Sequence, residues 1–289
     1  IPSVPHIENC INYFLNKYRK DYLQGLERRK QYQEMIQRKV RERGMPESVS
    51  WIPMVESWFD PSARSHCNAV GLWQLMPATA KKLGLRIDEW IDERKDPVRS
   101  TDAALDLLSY LHDRTGGWFL AYAAYHCGEA GVFQAIKRHG INDYWILSAR
   151  KEFTSHTRFY VAAIMALTAI ERESEKYNVV FPVEDPPKVA TFPLNNQINL
   201  RRLAEFLKVD LHVIHQMNPA LKRAWTPPNY PQFPLRIPQE HKDLITDTSL
   251  KRFETSSEMI EHVIQPGDTL GAIAQLYRIP IETIMTANH

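Results

Sequence analysis

Long apolar runs are missing from this 289-residue chain. The longest, residues 161–170, is interrupted by Thr168. A bilayer-spanning helix needs about 20 apolar residues, so no transmembrane helix is expected. Residues 1–10 lack the basic start and apolar core of a signal peptide. That leaves either a cytoplasmic protein or one whose leader was removed. Cysteine is scarce: three residues cannot build a disulfide scaffold, and no Cys-x-x-Cys pair points to zinc. The histidines are scattered without zinc-site spacing, so neither a metal nor an organic cofactor is implied. An excess of one charge is lacking too, since 36 basic residues face 34 acidic ones. That balance excludes a strong polyanion binder, and no nucleic-acid partner is expected. Glycine is absent from residues 141–266, whereas ten of the 19 prolines fall within residues 181–238. Such a stretch reads as a semi-rigid connector leading into a small irregular module.

What is present before that connector is helical almost throughout. Ile11, Phe14, Leu15, Tyr18, Tyr22 and Leu26 recur at three- and four-residue steps and make one apolar face. The basic stretch that follows, residues 17–43, reads as a solvated helix face. Asp96 followed by Pro97 predicts a helix start, with Val98, Thr101, Leu105, Leu108 and Leu111 on one face and a stop at Gly116-Gly117. A short aromatic helix is expected over 118–126, an amphipathic turn before Gly140, and a long helix over 157–177.

Beyond the connector the chain repeats itself. A shift of 70 residues aligns 198–218 with 268–288 without a gap: Leu200 meets Leu270, Ala204 meets Ala274, Ile214 meets Ile284 and Asn218 meets Asn288. Each copy reads as a short helix, a bend, a second short helix and an asparagine. Residues 233–238 (FPLRIP) are a candidate edge strand closing the first copy. A strand is expected at 259–264 before the second copy, which stops at His289 without a closing strand and is read as truncated.

The most informative stretch for chemistry is residues 51–75, WIPMVESWFDPSARSHCNAVGLWQL. Glu56 lies among Ile52, Val55, Trp58 and Phe59. A carboxyl in such surroundings resists ionisation and can hold a proton near neutrality, as a general acid at a glycosidic oxygen must. On the residues alone, a helix-end glutamate facing solvent remains the alternative.

Three motifs resolve that choice by resemblance. Glu56-Ser57, GLWQLMP at 71–77 and AYHCGEAGV at 124–132, followed by a helical Tyr160, resemble the family 1 lytic transglycosylases. Residues 92–111 are similar to the membrane-bound lytic murein transglycosylase D type. The repeat resembles LysM modules, which bind N-acetylglucosamine-containing glycans; HVIQPGDTLGAIAQLY at 262–277 matches well, and the first copy is degenerate. The resemblance implies a mainly α, lysozyme-like (goose-type) catalytic domain followed by small α+β modules. It implies Glu56 as the single catalytic acid/base, and Ser57 as a hydrogen-bonding residue beside acid and substrate. Gly71 and Gln74 fall on the cleft loop, with Gln74 bonding the sugar, and Met76 on an apolar floor. Tyr125 and Tyr160 match two cleft tyrosines. His126 departs from the pattern, standing where the family has Asn; it offers one neutral donor instead of two and titrates near neutrality.

The expected organisation is a helical segment over 1–29, a lytic transglycosylase domain over 30–180, a linker over 181–188, a degenerate LysM-like module over 189–238, a linker over 239–258 and a truncated LysM module over 259–289. The expected activity is non-hydrolytic cleavage of peptidoglycan between N-acetylmuramic acid and N-acetylglucosamine, giving 1,6-anhydro ends. The setting that follows is the periplasmic side of the bacterial envelope, for a monomer whose lipid anchoring stays open. The rivals are a goose-type lysozyme-like hydrolase, for which Glu129 would be the second carboxylate, and a non-catalytic peptidoglycan-binding protein. Deleting everything after Lys188 is expected to weaken sedimentation with peptidoglycan and spare cleavage of short glycans. A Cys67–Cys127 bridge is left open.

Overall fold

A computed structural model describes residues 4–254 and 262–288. Ten α-helices precede the connector: α1 Val4–Asn12, α2 Arg19–Arg29, α3 Gln33–Glu42, α4 Ile52–Ser57, α5 Pro77–Lys82, α6 Pro97–Thr115, α7 Trp118–Cys127, α8 Glu129–His139, α9 Tyr144–Ala149 and α10 Ser155–Arg172. The mainly α architecture is the expected one. None of the helices among the described residues is long and apolar enough to cross a membrane.

Local signals account for most boundaries. Asp96 accepts from the backbone N–H groups of Val98 and Arg99 at 2.9 Å each, Pro97 begins α6, and Gly116 ends it at φ 75°. Helix α10 starts two residues before the expected position, because Thr154 caps it by accepting from Thr157 N–H at 3.2 Å. It ends at Arg172, ahead of the expected Tyr177, where Glu173 leaves the helical region.

The described part of the segment expected over 1–29 packs into the core of the domain it precedes. Cys10, Phe14, Tyr22 and Leu26 are buried with Trp51, Trp73 and the apolar face of α10. Arg29 is 2% exposed, lies 3.9 Å over the Trp51 ring and pairs with Glu171 at 2.6 Å. Glu171 also accepts from Trp51 Nε1 at 2.8 Å. A buried guanidinium paired with Glu171 ties α2 to α10; removing Glu171 would leave the Arg29 charge buried without its partner, a cost of about 3–5 kcal/mol.

The second half holds β1 Val189–Leu194, α11 Leu200–Leu207, α12 Leu211–Met217, β2 Phe233–Pro238, α13 Asp247–Lys251, α14 Leu270–Tyr277 and α15 Ile281–Asn288. Strands β1 and β2 pair antiparallel, Val189 with Pro238 through Leu194 with Phe233. The 70-residue repeat is physical. Lys208 and Arg278 end α11 and α14 in the left-handed region at φ 55° and 54°, and the Asn218 and Asn288 side chains each donate 2.8 Å bonds to Ile214 O and Ile284 O. Of the strand expected at 259–264, residues 259–261 lie outside the described residues, and 262–264 form no strand. His289 lies outside them as well. The stretch expected as a linker over 239–258 is packed as far as residue 254, because Ile245, Leu250 and Phe253 bury themselves against Leu200, Leu203 and Leu207.

Candidate active site

Helix α4 sets the position of Glu56. Pro53 fits its first turn, and Trp58 and Phe59 both adopt left-handed conformations, φ 53° and 56°, to terminate it. Two adjacent bulky residues in that region store strain of the kind that clusters at functional sites. The abrupt end leaves Glu56 in the last turn, where the helix dipole disfavours an anion. Burial pushes its carboxyl up to about 7, opposed by a 2.8 Å hydrogen bond that Tyr160 donates to Oε1. Tyr160 is itself buried, and its phenol is held well above the ordinary tyrosine value by burial and then by Glu56. The pair is therefore a neutral donor set against a carboxyl that ionises only near neutrality.

Glu56 lines a cleft of about 450 Å³ with Ser57, Trp58, Asp60, Arg64 and Gln74. The opposite wall is α2, which contributes Asp21, Gln24 and Arg28. None of those three was anticipated: in sequence a polar cleft wall and a solvated helix face look alike. Arg28 donates to Trp58 O at 3.2 Å, joining the walls beside the strained turn.

The loop over residues 63–75 closes the cleft from below, and its internal bonds decide what each expected residue can do. Ser57 is buried with its hydroxyl hydrogen shared between Leu72 O (2.9 Å) and Pro53 O (3.1 Å). It tethers the loop to α4, and no bond joins it to Glu56. Gln74 sits at φ 47°, and its amide nitrogen donates to Ala63 O and Gly71 O at 3.1 and 2.9 Å. With both N–H groups engaged, only its carbonyl oxygen is left to accept from a sugar hydroxyl. Gly71 has φ 88°, and a Cβ there would lie 2.0 Å from Arg94 O, so no other residue fits. Tyr125 donates to Trp73 O at 2.8 Å and so supports the loop from behind. Met76, expected as an apolar floor, is 43% exposed, precedes α5 and is absent from the cleft wall.

His126 stacks on Tyr160, ring centroids 4.4 Å apart and planes 20° from parallel. Burial of that face, and then His156, lowers its pKa from the ordinary value. His126, which is not among the residues lining the cleft, thus presents an imidazole aligned with the tyrosine that touches Glu56. Glu129 is exposed at the start of α8 and is not on the cleft wall. Cys67 and Cys127 are free and exposed. Among the described residues no three His, Cys, Asp or Glu side chains cluster as metal ligands would.

Comparison with known proteins finds relatives along the chain. Residues 33–148 match the family described as transglycosylase SLT domain, residues 188–251 the LysM-like domain of lytic transglycosylase MltD, and residues 262–289 the LysM domain. The membrane-bound lytic murein transglycosylase D of Escherichia coli K12 is 31% identical over 273 residues, 88% of this chain. The chain spans 59% of that relative's length. The crystal structure of the 70 kDa soluble lytic transglycosylase of E. coli is 23% identical with a TM-score of 0.43, covering 50% of this chain and 24% of that one. An inactive mutant of the lytic transglycosylase Slt of Pseudomonas aeruginosa is 30% identical with a TM-score of 0.41, covering 53% and 25% respectively.

Proposed function

As a chain whose residues 33–148 match the transglycosylase SLT family and whose residues 188–251 and 262–289 match LysM-type families, this protein, we propose, cleaves peptidoglycan glycan strands without water. The bond broken is the β-1,4 link from N-acetylmuramic acid to N-acetylglucosamine. Glu56, protonated near neutral pH, gives its proton to the glycosidic oxygen as that bond breaks. The N-acetyl carbonyl of the muramic residue stabilises the cationic C1. The Glu56 carboxylate then takes the proton from the C6 hydroxyl, whose oxygen attacks C1 and closes a 1,6-anhydro ring. One carboxyl serves both steps and ends as it began.

Around it, each residue has a task that its geometry permits. The Tyr160 hydroxyl steadies the carboxylate produced in the first step. Gln74 accepts from a sugar hydroxyl, and Ser57 and Tyr125 hold the loop that presents it. His126 contacts the sugar at the rim in the role of the family's amide. This substrate puts the protein on the periplasmic side of a bacterial envelope, bound to peptidoglycan.

The observation that carries the reading is the Glu56 carboxyl, raised to about 7 at the wall of an open cleft with Tyr160 as its hydrogen-bond partner. A hydrolase on this scaffold would need a second carboxylate to activate water. Glu129 stands off the cleft; the other carboxylates on its wall are Asp21 and Asp60, and Asp60 accepts from the Ser62 N–H (2.8 Å) and hydroxyl (2.7 Å) through Oδ1 alone. Digestion of purified peptidoglycan followed by mass analysis tests the proposal. Anhydro-muramic ends support it, reducing ends assign the chain to the hydrolases, and absence of products makes it a binding protein.

A further inference from the structure

The first LysM-like module and the catalytic half share a seam made largely of polar groups. Ile91, from the catalytic half, is 1% exposed within the module's core beside Leu200 and Leu221. The Asp92 N–H donates to Ala220 O at 2.8 Å, and the Lys222 N–H to Trp90 O at 2.9 Å. Arg86 reaches Pro228 O at 3.2 Å. Tyr230 donates its hydroxyl to Glu93, which also accepts from Arg99 at 3.2 Å. Arg236, on β2, grips Asp96 through two bonds of 2.6 and 3.3 Å, and both side chains are largely shielded from water.

Two paths run from that seam into the cleft loop. Asp92 holds the Arg94 guanidinium through bonds of 2.9 and 2.8 Å, and Arg94 donates onward to Asn68 O at 2.7 Å and Leu75 O at 3.2 Å. Asp96, gripped by Arg236, caps α6, and Thr101 of that helix accepts from Trp73 Nε1 at 2.9 Å. Asn68, Trp73 and Leu75 bracket Gln74. Both paths run through largely buried polar groups such as Asp92, Arg94, Asp96 and Thr101, which transmit position because leaving a buried member unpaired is costly.

We infer that residues 188–251 act as a positioning element for the catalytic loop over residues 63–75, with Arg236 and Tyr230 as the positioning residues at the seam. The expectation that everything after Lys188 is a detachable tether is thereby revised for the first module: removing it would strip Ile91 of its cover and Asp96 of its cation. The kinetic half of this inference rests on the proposed lytic activity; the mechanical half does not.

The test compares the wild-type chain with Arg236→Gln, Arg236→Lys and Tyr230→Phe, well below their unfolding temperatures. Amide hydrogen exchange is followed at Val70 and Leu75, which bond each other across the loop at 3.2 Å. Anhydro-product release is followed on short soluble glycans, with kcat and KM separated. Arg236→Gln should speed exchange at both amides about tenfold by loosening local structure. It should lower kcat about tenfold with KM little changed, since small misplacement of catalytic groups costs rate. Lys should restore part of both effects, and Tyr230→Phe should move both in the same direction and less. A lowered unfolding temperature with kcat and loop exchange unchanged would overturn the inference, as would a fall in kcat without faster exchange. If the wild type yields no anhydro product while Arg236→Gln still speeds exchange, the functional reading fails and the mechanical coupling stands.

Discussion

Replacing Glu56 by Gln should abolish turnover and make the protein more stable, but only above acidic pH. The Glu56 pKa is about 7 in the folded protein against an ordinary value of 4.5. At pH 4 the carboxyl is protonated in folded and unfolded chains alike, and Gln should be nearly neutral: the size is kept, and the Tyr160 hydroxyl can still donate to the amide oxygen. As pH rises past 4.5 the unfolded chain releases its proton freely while the folded chain holds on until about 7. Wild type therefore loses stability across that window and levels off above it. At about 1.4 kcal/mol per pH unit, and discounting for a cleft open to solvent, the loss is about 2–3 kcal/mol. Gln has nothing to ionise and escapes it. Urea unfolding of both proteins at pH 4, 6 and 8 reads the effect directly. The Gln variant should match wild type at pH 4 and exceed it by about 2–3 kcal/mol at pH 8. An equal difference at all three values, or a Gln variant less stable at pH 8, would refute the claim that burial holds Glu56 protonated.

Other perturbations test neighbouring parts of the account. Tyr160→Phe removes the bond that opposes the upward shift, so the Glu56 pKa should rise further, and the alkaline fall in the pH–rate profile should move up as kcat drops. Gly71→Ala meets both a positive φ and the Arg94 carbonyl; urea unfolding should show a loss of about 2–4 kcal/mol, or activity should vanish in a folded protein with a displaced loop. His126→Asn supplies the amide of the family pattern. It should remove the acid-side rise in KM that protonation of a histidine with a lowered pKa causes below the neutral range, measured as KM against pH on soluble glycan.

Much of the fold was legible because its signals are local. Asp96, Pro97 and Gly116 mark the ends of α6 within a few residues, and the 70-residue repeat reappears in matching helix ends and asparagine bonds. Glu56 was singled out by the family motifs around it; its apolar sequence neighbours alone left a solvent-facing glutamate open. What could not be read depends on contacts distant along the chain. Ser57 and Gln74 carry the expected residue types, yet Leu72 O, Ala63 O and Gly71 O consume their donors, and nothing local announces that. Asp21, Gln24 and Arg28 look like solvated helix surface until α2 folds over the cleft. The seam is built from charged and polar side chains that composition assigns to solvent. Ile245, Leu250 and Phe253 are too sparse to mark residues 239–254 as core, although all three are buried.

The central claim is that Glu56 alone moves the proton in both directions and that water takes no part. Digestion of soluble glycan strands in heavy-oxygen water tests it most directly, with wild type and Glu56→Gln run side by side and the products weighed. Wild type should give products ending in anhydro-muramic acid with no heavy oxygen incorporated, and the Glu56→Gln variant should give none. Heavy oxygen at the newly formed ends, or continued cleavage by that variant, would contradict it.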